Sequence, residues 1–239
     1  MSKTKKEAKK NQNTNSDLLE NPNAVAEKLF DSEKFLEKNR TIFIVIAAVL
    51  VLAIGGYFAY NYMMTQQEQD AQEDMFAAQT YIEVDSLKRA LKGDGNNVGF
   101  EAVIEDYPNT KAANLAHFYK ATAHMKEGKY KQAIESLEKF SSSDLLLQAR
   151  AYCLIGDANM ELNKLGEATT YYKKAAEYKP NEQFTPVYLM KLGLAYELQK
   201  KNAEAIKAYE EVINKYFKAT NELNNAKKYK ARLEALMQK

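Results

Sequence analysis

Two histidines, one cysteine and scattered aspartates are the side chains of this 239-residue sequence most able to do chemistry, and their spacing decides what is open to them. His117 and His124 stand seven residues apart on a predicted helix, and no carboxylate or cysteine joins them at a metal-site spacing. They read as helical core or groove residues. Asp106, Asp144 and Asp157 fall on different predicted elements with no nucleophile beside them, so no catalytic triad is expected. Gly93-Asp94-Gly95 has no following Gly-Lys-Ser/Thr and no preceding strand, which makes it a turn and not a phosphate loop. Cys153 is the only cysteine; it is either buried or available for an intermolecular bond in an oxidising compartment. The expectation is a chain without catalytic, metal or cofactor residues, and not an enzyme.

What recurs instead is side-chain size. One stretch carries Tyr152, Ile155, Gly156, Ala168, Tyr172, Ala175 and Pro180, and another carries Leu189, Leu192, Gly193, Tyr196, Ala205 and Tyr209. A weaker copy carries Ala121, Gly128, Tyr130, Ala133 and Leu137. Ala133, Ala168 and Ala205 are 35 and 37 residues apart, against about 34 for a two-helix repeat. Gly156 or Gly193 on a first helix and Ala133, Ala168 or Ala205 on a second remove bulk where antiparallel helices approach closely, and large partners fill the adjoining space.

These residues resemble the tetratricopeptide repeat pattern W-x2-L-G-x2-Y, A-x3-F, P, matched best from Ala149 to Glu182. Asn159 stands where the pattern has Tyr, Lys120 where it has Leu, and Phe217 where it has Pro. The resemblance implies an all-α fold, an α-solenoid of stacked helical hairpins, with Ala133, Gly156, Ala168, Tyr172, Gly193, Tyr196, Ala205 and Tyr209 as the packing residues. A degenerate repeat precedes these: Phe100, Val103, Ile104 and Pro108 match the end of a second helix, whose first helix would lie within Met75 to Lys92. Beyond the last repeat, Leu223, Ala226, Tyr229, Leu233 and Leu236 outline a lysine-rich closing helix.

A second feature is the run Ile42 to Tyr60, free of charged residues and long enough to cross the roughly 30 Å core of a bilayer. The length of the preceding segment and the lack of an A-x-A site favour an uncleaved anchor over a signal peptide. Lys28, Lys34, Lys38 and Arg40 precede the run, whereas Glu68, Asp70, Glu73 and Asp74 follow it with no Lys or Arg before Lys88. The positive-inside rule then leaves the N-terminus in the cytoplasm and exports the repeats, giving a single-pass bacterial inner-membrane protein with a periplasmic C-terminal part. The expected organisation is a disordered tail (1–20), an amphipathic juxtamembrane helix (21–40), a transmembrane helix (41–64), an extension helix with the degenerate repeat (65–110), three repeats (111–220) and a capping helix (221–239). The juxtamembrane helix lies at the headgroups or docks a cytoplasmic partner. From Tyr57 to Lys92 the chain is one helical rod or hinges at the Gln-rich stretch Gln66 to Gln72.

Net charge of +2 with acidic and basic residues interleaved argues against a nucleic-acid partner. No small-molecule substrate is implied either. The repeat resemblance instead implies protein partners held by the inward positions of the first helices: Phe118, Thr122 and Met125; Cys153, Asp157 and Met160; and Met190, Leu194 and Glu197. Methionine recurs among them, either as an adaptable apolar lining or as packing between repeats. Members that grip a C-terminal carboxylate carry Lys, Asn and Arg at such positions, so Phe118, Thr122, Cys153 and Asp157 make that mode unexpected. The layout of basic tail, span and exported repeats also resembles the YfgM-type ancillary subunits of the SecYEG translocon. That resemblance implies attachment near the export channel with a PpiD-like membrane chaperone. The alternative is a scaffold for cell-envelope or outer-membrane assembly.

Overall fold

The computed structural model describes residues 34–238, with no strand among the described residues. The expected tail (1–20) and the juxtamembrane helix up to residue 33 lie outside the described residues, and residues 34–38 are helical. The chain divides between Met63 and Met64 into two compact units.

Helix α1, Arg40–Glu83, begins in the first unit. Its apolar side chains from Ile42 to Met63 are exposed, Leu52 by 75%. By length and composition it is the one helix among the described residues able to cross a membrane. The Gln-rich stretch Gln66 to Gln72 lies within α1 and shows no break. The helix stops at Glu83 and does not reach Lys92, because Asp85 turns left-handed at φ 56° and the Ser86 N–H donates to the Tyr81 carbonyl at 2.7 Å.

In the second unit, α1 contributes Ala71, Met75 and Ala78 to a core with Phe100, Val103, Ala112 and Ala116. The degenerate repeat differs from a plain hairpin: residues 87–92 form a separate short helix, α2 (Leu87–Lys92), and the matched end of the second helix is α3 (Phe100–Asp106). The loop between α2 and α3 folds back so tightly that a Cβ on Gly99 would lie 2.4 Å from the Leu91 carbonyl carbon. No residue but glycine fits there. Two side chains of α1 bind this region from outside: Asp74 Oδ2 accepts the Tyr107 hydroxyl at 3.0 Å, and Glu68 Oε2 accepts the Lys111 N–H at 2.6 Å.

Three hairpins follow: α4 (Lys111–Lys126) with α5 (Tyr130–Lys139), α6 (Leu147–Glu161) with α7 (Leu165–Glu177), and α8 (Thr185–Leu198) with α9 (Asn202–Lys215). Each first helix starts on a polar side chain, and these recur 34 and 37 residues apart as Thr110, Asp144 and Asn181. Thr110 Oγ1 accepts the Ala113 N–H at 3.0 Å, Asp144 Oδ1 the Leu147 N–H at 2.9 Å, and Asn181 Oδ1 the Phe184 N–H at 2.8 Å. Thr110 is the N-cap of α4, and Asp144 and Asn181 hold the turns that lead into α6 and α8. Each first helix also ends alike, with a left-handed residue at Gly128, Asn163 and Lys200. The next N–H then bonds five residues back, to His124, Asn159 and Tyr196 carbonyls at 2.8, 2.8 and 2.9 Å.

Packing inside the hairpins matches size to size. A Cβ on Gly156 would fall 2.6 Å from the Tyr172 ring, and one on Gly193 would fall 2.3 Å from the Tyr209 ring. The first hairpin solves the same problem with intermediate residues, as Ala121 and Leu137 share its core. Ala133, Ala168 and Ala205 are all 0% exposed, whereas Tyr196 is only half-buried against the last core. Asn159, in place of the pattern's Tyr, is buried with its amide donating to its own helix at Ile155. Polar bonds hold the segment between the first two hairpins: Asn114 exchanges two with the Ser141 backbone at the exit of its own hairpin, and the Tyr178 hydroxyl of the next hairpin donates to the Ser142 carbonyl at 3.0 Å. Helix α10, Thr220–Met237, closes the stack with Ala226 and Leu233 buried, while Leu236 stays exposed.

Candidate functional site

The first helices α4, α6 and α8 present two cavities that share Lys191 and Leu194. The first, about 430 Å³, brings Met125, Asp157, Met160 and Leu194 together with Tyr130 and Glu161. The second, about 370 Å³, joins Met190, Leu194 and Glu197 to Tyr229 and Arg232 of α10. Six of the nine inward residues therefore line one groove that continues along α8. Met125 and Met160 are at equivalent positions, 35 residues apart, and open into the first cavity. Met190 is offset and opens into the second. All three methionines are half-buried and also pack against the cores beneath, so lining and packing are both true of them.

The other three inward residues do not line either cavity. Cys153 is 0% exposed in the core beneath α6, so its assignment to the groove surface is corrected. Phe118 packs against Phe140 with ring centroids 5.3 Å apart, and the Thr122 hydroxyl donates to the Phe118 carbonyl of its own helix. The reason is crowding: the space the pattern leaves open in the first hairpin is filled by Phe140 from the end of α5. A further cavity of about 400 Å³ between α7 and α9, lined by Tyr196 and Tyr216 with Lys173 and Lys207, contains none of the nine.

Two of the groove acids are bound internally. Asp157 Oδ1 accepts the Tyr172 hydroxyl at 2.7 Å and the Lys191 ammonium at 2.6 Å. Glu197 Oε1 accepts the Tyr209 hydroxyl at 2.7 Å, and Glu197 Oε2 pairs with the Arg232 guanidinium. Burial first, and the neighbouring carboxylate next, push both tyrosines far above the ordinary phenol range, so each stays protonated and donates. The same two phenol rings that fill the glycine notches thus also anchor the acids of the groove. Lys191 and Arg232 were not singled out from the sequence, yet a signal existed: each is a cation standing 34 or 35 residues after the acid it binds, one repeat downstream.

The remaining reactive side chains are held elsewhere. Burial pushes the Cys153 thiol up to about 12, which keeps it protonated and poorly nucleophilic. His124 is buried with Nδ1 3.5 Å from Glu127 Oε2, and His117 is half-buried; burial lowers both below the ordinary histidine value. Neither lines the two groove cavities. Asp94 closes its turn by accepting the Asn96 and Asn97 N–H groups and the Tyr81 hydroxyl. Asp144 accepts the Leu146 and Leu147 N–H groups at the start of α6. Among the described residues, no three His, Cys, Asp or Glu side chains come together to hold a metal ion.

Comparison with known proteins agrees with this architecture. Among solved structures, the one titled "Crystal structure of MamA protein" superposes with a TM-score of 0.51 at 21% identity, covering 70% of this chain and 86% of that one. A second, "Crystal structure of MamA", has a TM-score of 0.43 at 24% identity, covering 59% of this chain and 85% of that one. Likeness at such identity concerns the fold. No curated protein sequence matches the chain. A family model described as a tetratricopeptide repeat-like domain matches residues 33–237, nearly the whole described length. The chain belongs to the tetratricopeptide repeat-like domain family, whose stacked hairpins serve as scaffolds for protein–protein interaction.

Proposed function

We propose that this protein is a membrane-anchored, non-enzymatic scaffold that holds a segment of another protein along the groove formed by α4, α6, α8 and α10. The observation that carries this reading is the continuity of the two cavities through Leu194, itself 48% exposed, between half-buried methionines. Met125, Met160 and Met190 can change rotamer at little cost, so the lining adapts to varied apolar side chains. Because Asp157 and Glu197 are neutralised from within, the floor offers apolar area and few free charges.

The exposed apolar face of α1 supports a bilayer anchor, and the charge difference between its two flanks supports export of the repeats to the periplasm of a bacterial cell. On that topology the groove faces emerging or freshly exported polypeptides. The specific form of the proposal is an accessory of the Sec translocon and periplasmic chaperone network, with SecYEG and a PpiD-like chaperone as its company. Its support is the resemblance in layout. Protease accessibility of the repeats in spheroplasts tests the topology, and crosslinking with mass spectrometry in mild detergent tests the company. Recovery of channel subunits is expected; recovery of outer-membrane assembly factors without them would replace this form by the envelope-assembly alternative.

A further inference from the structure

We infer that the segment held in the groove is a basic amphipathic one, with apolar residues for the methionine floor and lysine or arginine beside them. This rests on the groove reading above and identifies the chemistry of its occupant. The carboxylates of the lining outnumber its cations: Asp157, Glu161, Glu197 and Glu222 face only Lys191 and Arg232. Each cation is already engaged by one acid, Lys191 by Asp157 and Arg232 by Glu197. Both also lie toward tyrosine rings, Lys191 at 5.8 Å from the Tyr172 centroid and Arg232 at 5.2 Å from that of Tyr229.

Glu161 and Glu222 are left over. Neither has an ion-pair partner among the described residues. Tyr130 lines the same cavity as Glu161 but, being neutral, leaves its charge uncompensated. Glu161 belongs to the first cavity and Glu222 to the second, so the negative surplus is divided between the two parts of the groove. A basic segment gains partners at both places while its apolar side chains cover the methionines between. An acidic segment would meet like charge at both, and at Lys191 or Arg232 would have to share a cation that Asp157 or Glu197 already neutralises. Recognition is therefore asymmetric in charge, built on a negative surplus that is small but present in both parts of the groove.

The test uses the full chain in neutral phosphatidylcholine nanodiscs and two synthetic amphipathic peptides with one apolar face of leucine, one carrying lysine and the other glutamate on the polar face. Each peptide also carries a photoreactive leucine, and crosslinks are mapped to the helices. The lysine peptide is expected to crosslink to α6, α8 and α10, and to bind roughly tenfold or more tighter than the glutamate peptide, with affinity falling as salt rises. The double substitution Glu161→Gln with Glu222→Gln should narrow that difference several-fold, from both sides. Glutamate peptide bound in the groove as tightly as the lysine peptide, or a difference unmoved by the double substitution, would overturn the inference while leaving a groove that binds segments. Failure of both peptides to crosslink there would overturn the groove reading and this inference together.

Discussion

Adding a single methyl group at Gly156 should separate the packing account from a merely helical one. The new Cβ would sit 2.6 Å from Cδ1 and Cε1 of Tyr172, well inside contact distance. The ring cannot easily retreat, because it is 3% exposed and its hydroxyl is held by Asp157 at 2.7 Å. Overpacking of this kind costs about 1 to 3 kcal/mol. Replacing a mid-helix glycine by alanine returns about 0.5 to 1 kcal/mol of backbone entropy, so the middle of the two ranges gives Gly156→Ala a net loss of roughly 1 kcal/mol. For a domain of this size that is a fall in Tm of a few degrees. Gly166 supplies the control, since a Cβ there meets nothing within 4 Å and Gly166→Ala should be neutral or slightly stabilising. The first hairpin supplies the rescue: Gly156→Ala combined with Tyr172→Leu copies its Ala121 and Leu137 pairing, and should lose less than the two single changes summed. Urea unfolding of the full chain in detergent, followed by circular dichroism, reads all four variants. Gly156→Ala as stable as the parent, or a double variant no better than additive, would refute the reasoning.

Three further outcomes are expected. Lys200 holds a left-handed conformation at φ 59° where the first hairpin has Gly128, so Lys200→Gly should stabilise by about 1 kcal/mol, measurable in the same urea curves. His117 and His124 have folded-state values below the ordinary 6.5, so between those values the unfolded chain binds more protons; stability should be full above pH 6.5 and fall as the pH drops below it. His117→Gln and His124→Gln should each flatten that slope, and an unchanged slope in both would contradict the assignment. Cys153 should resist a maleimide reagent until urea unfolds the last two hairpins, and labelling of the native protein at the unfolded rate would show that its burial is wrong.

The sequence was most legible where packing needs a particular size. Ala133, Ala168 and Ala205 mark the second helices because nothing larger fits at the crossing, and Gly156 and Gly193 mark the first because a phenol ring must lie on them. The side-chain acceptors Thr110, Asp144 and Asn181 recur at the repeat spacing, though periodicity of the apolar residues alone does not single them out. The break between α1 and α2 was harder to see. It depends on a left-handed turn at Asp85, in a stretch that carries neither the glycine nor the proline that usually marks a helix end. In the groove, equivalence of position placed Met125, Met160, Leu194 and Glu197 well, but it could not anticipate that Phe140 would cover Phe118 or that Cys153 would sink beneath the surface. Pairing across repeats was hidden for a similar reason: Lys191 and Arg232 gain their meaning only when the next helix is laid beside the acid.

The most direct test of the central claim is site-specific photocrosslinking from the groove in intact cells. A photoreactive residue replacing Leu194 should give a discrete protein adduct that disappears when Met125, Met160 and Met190 are changed to Ser with the helical spectrum retained. The same probe replacing Lys207, on the cavity between α7 and α9, should give none. Adducts from Lys207 alone, or a Leu194 adduct indifferent to the three methionines, would contradict the account.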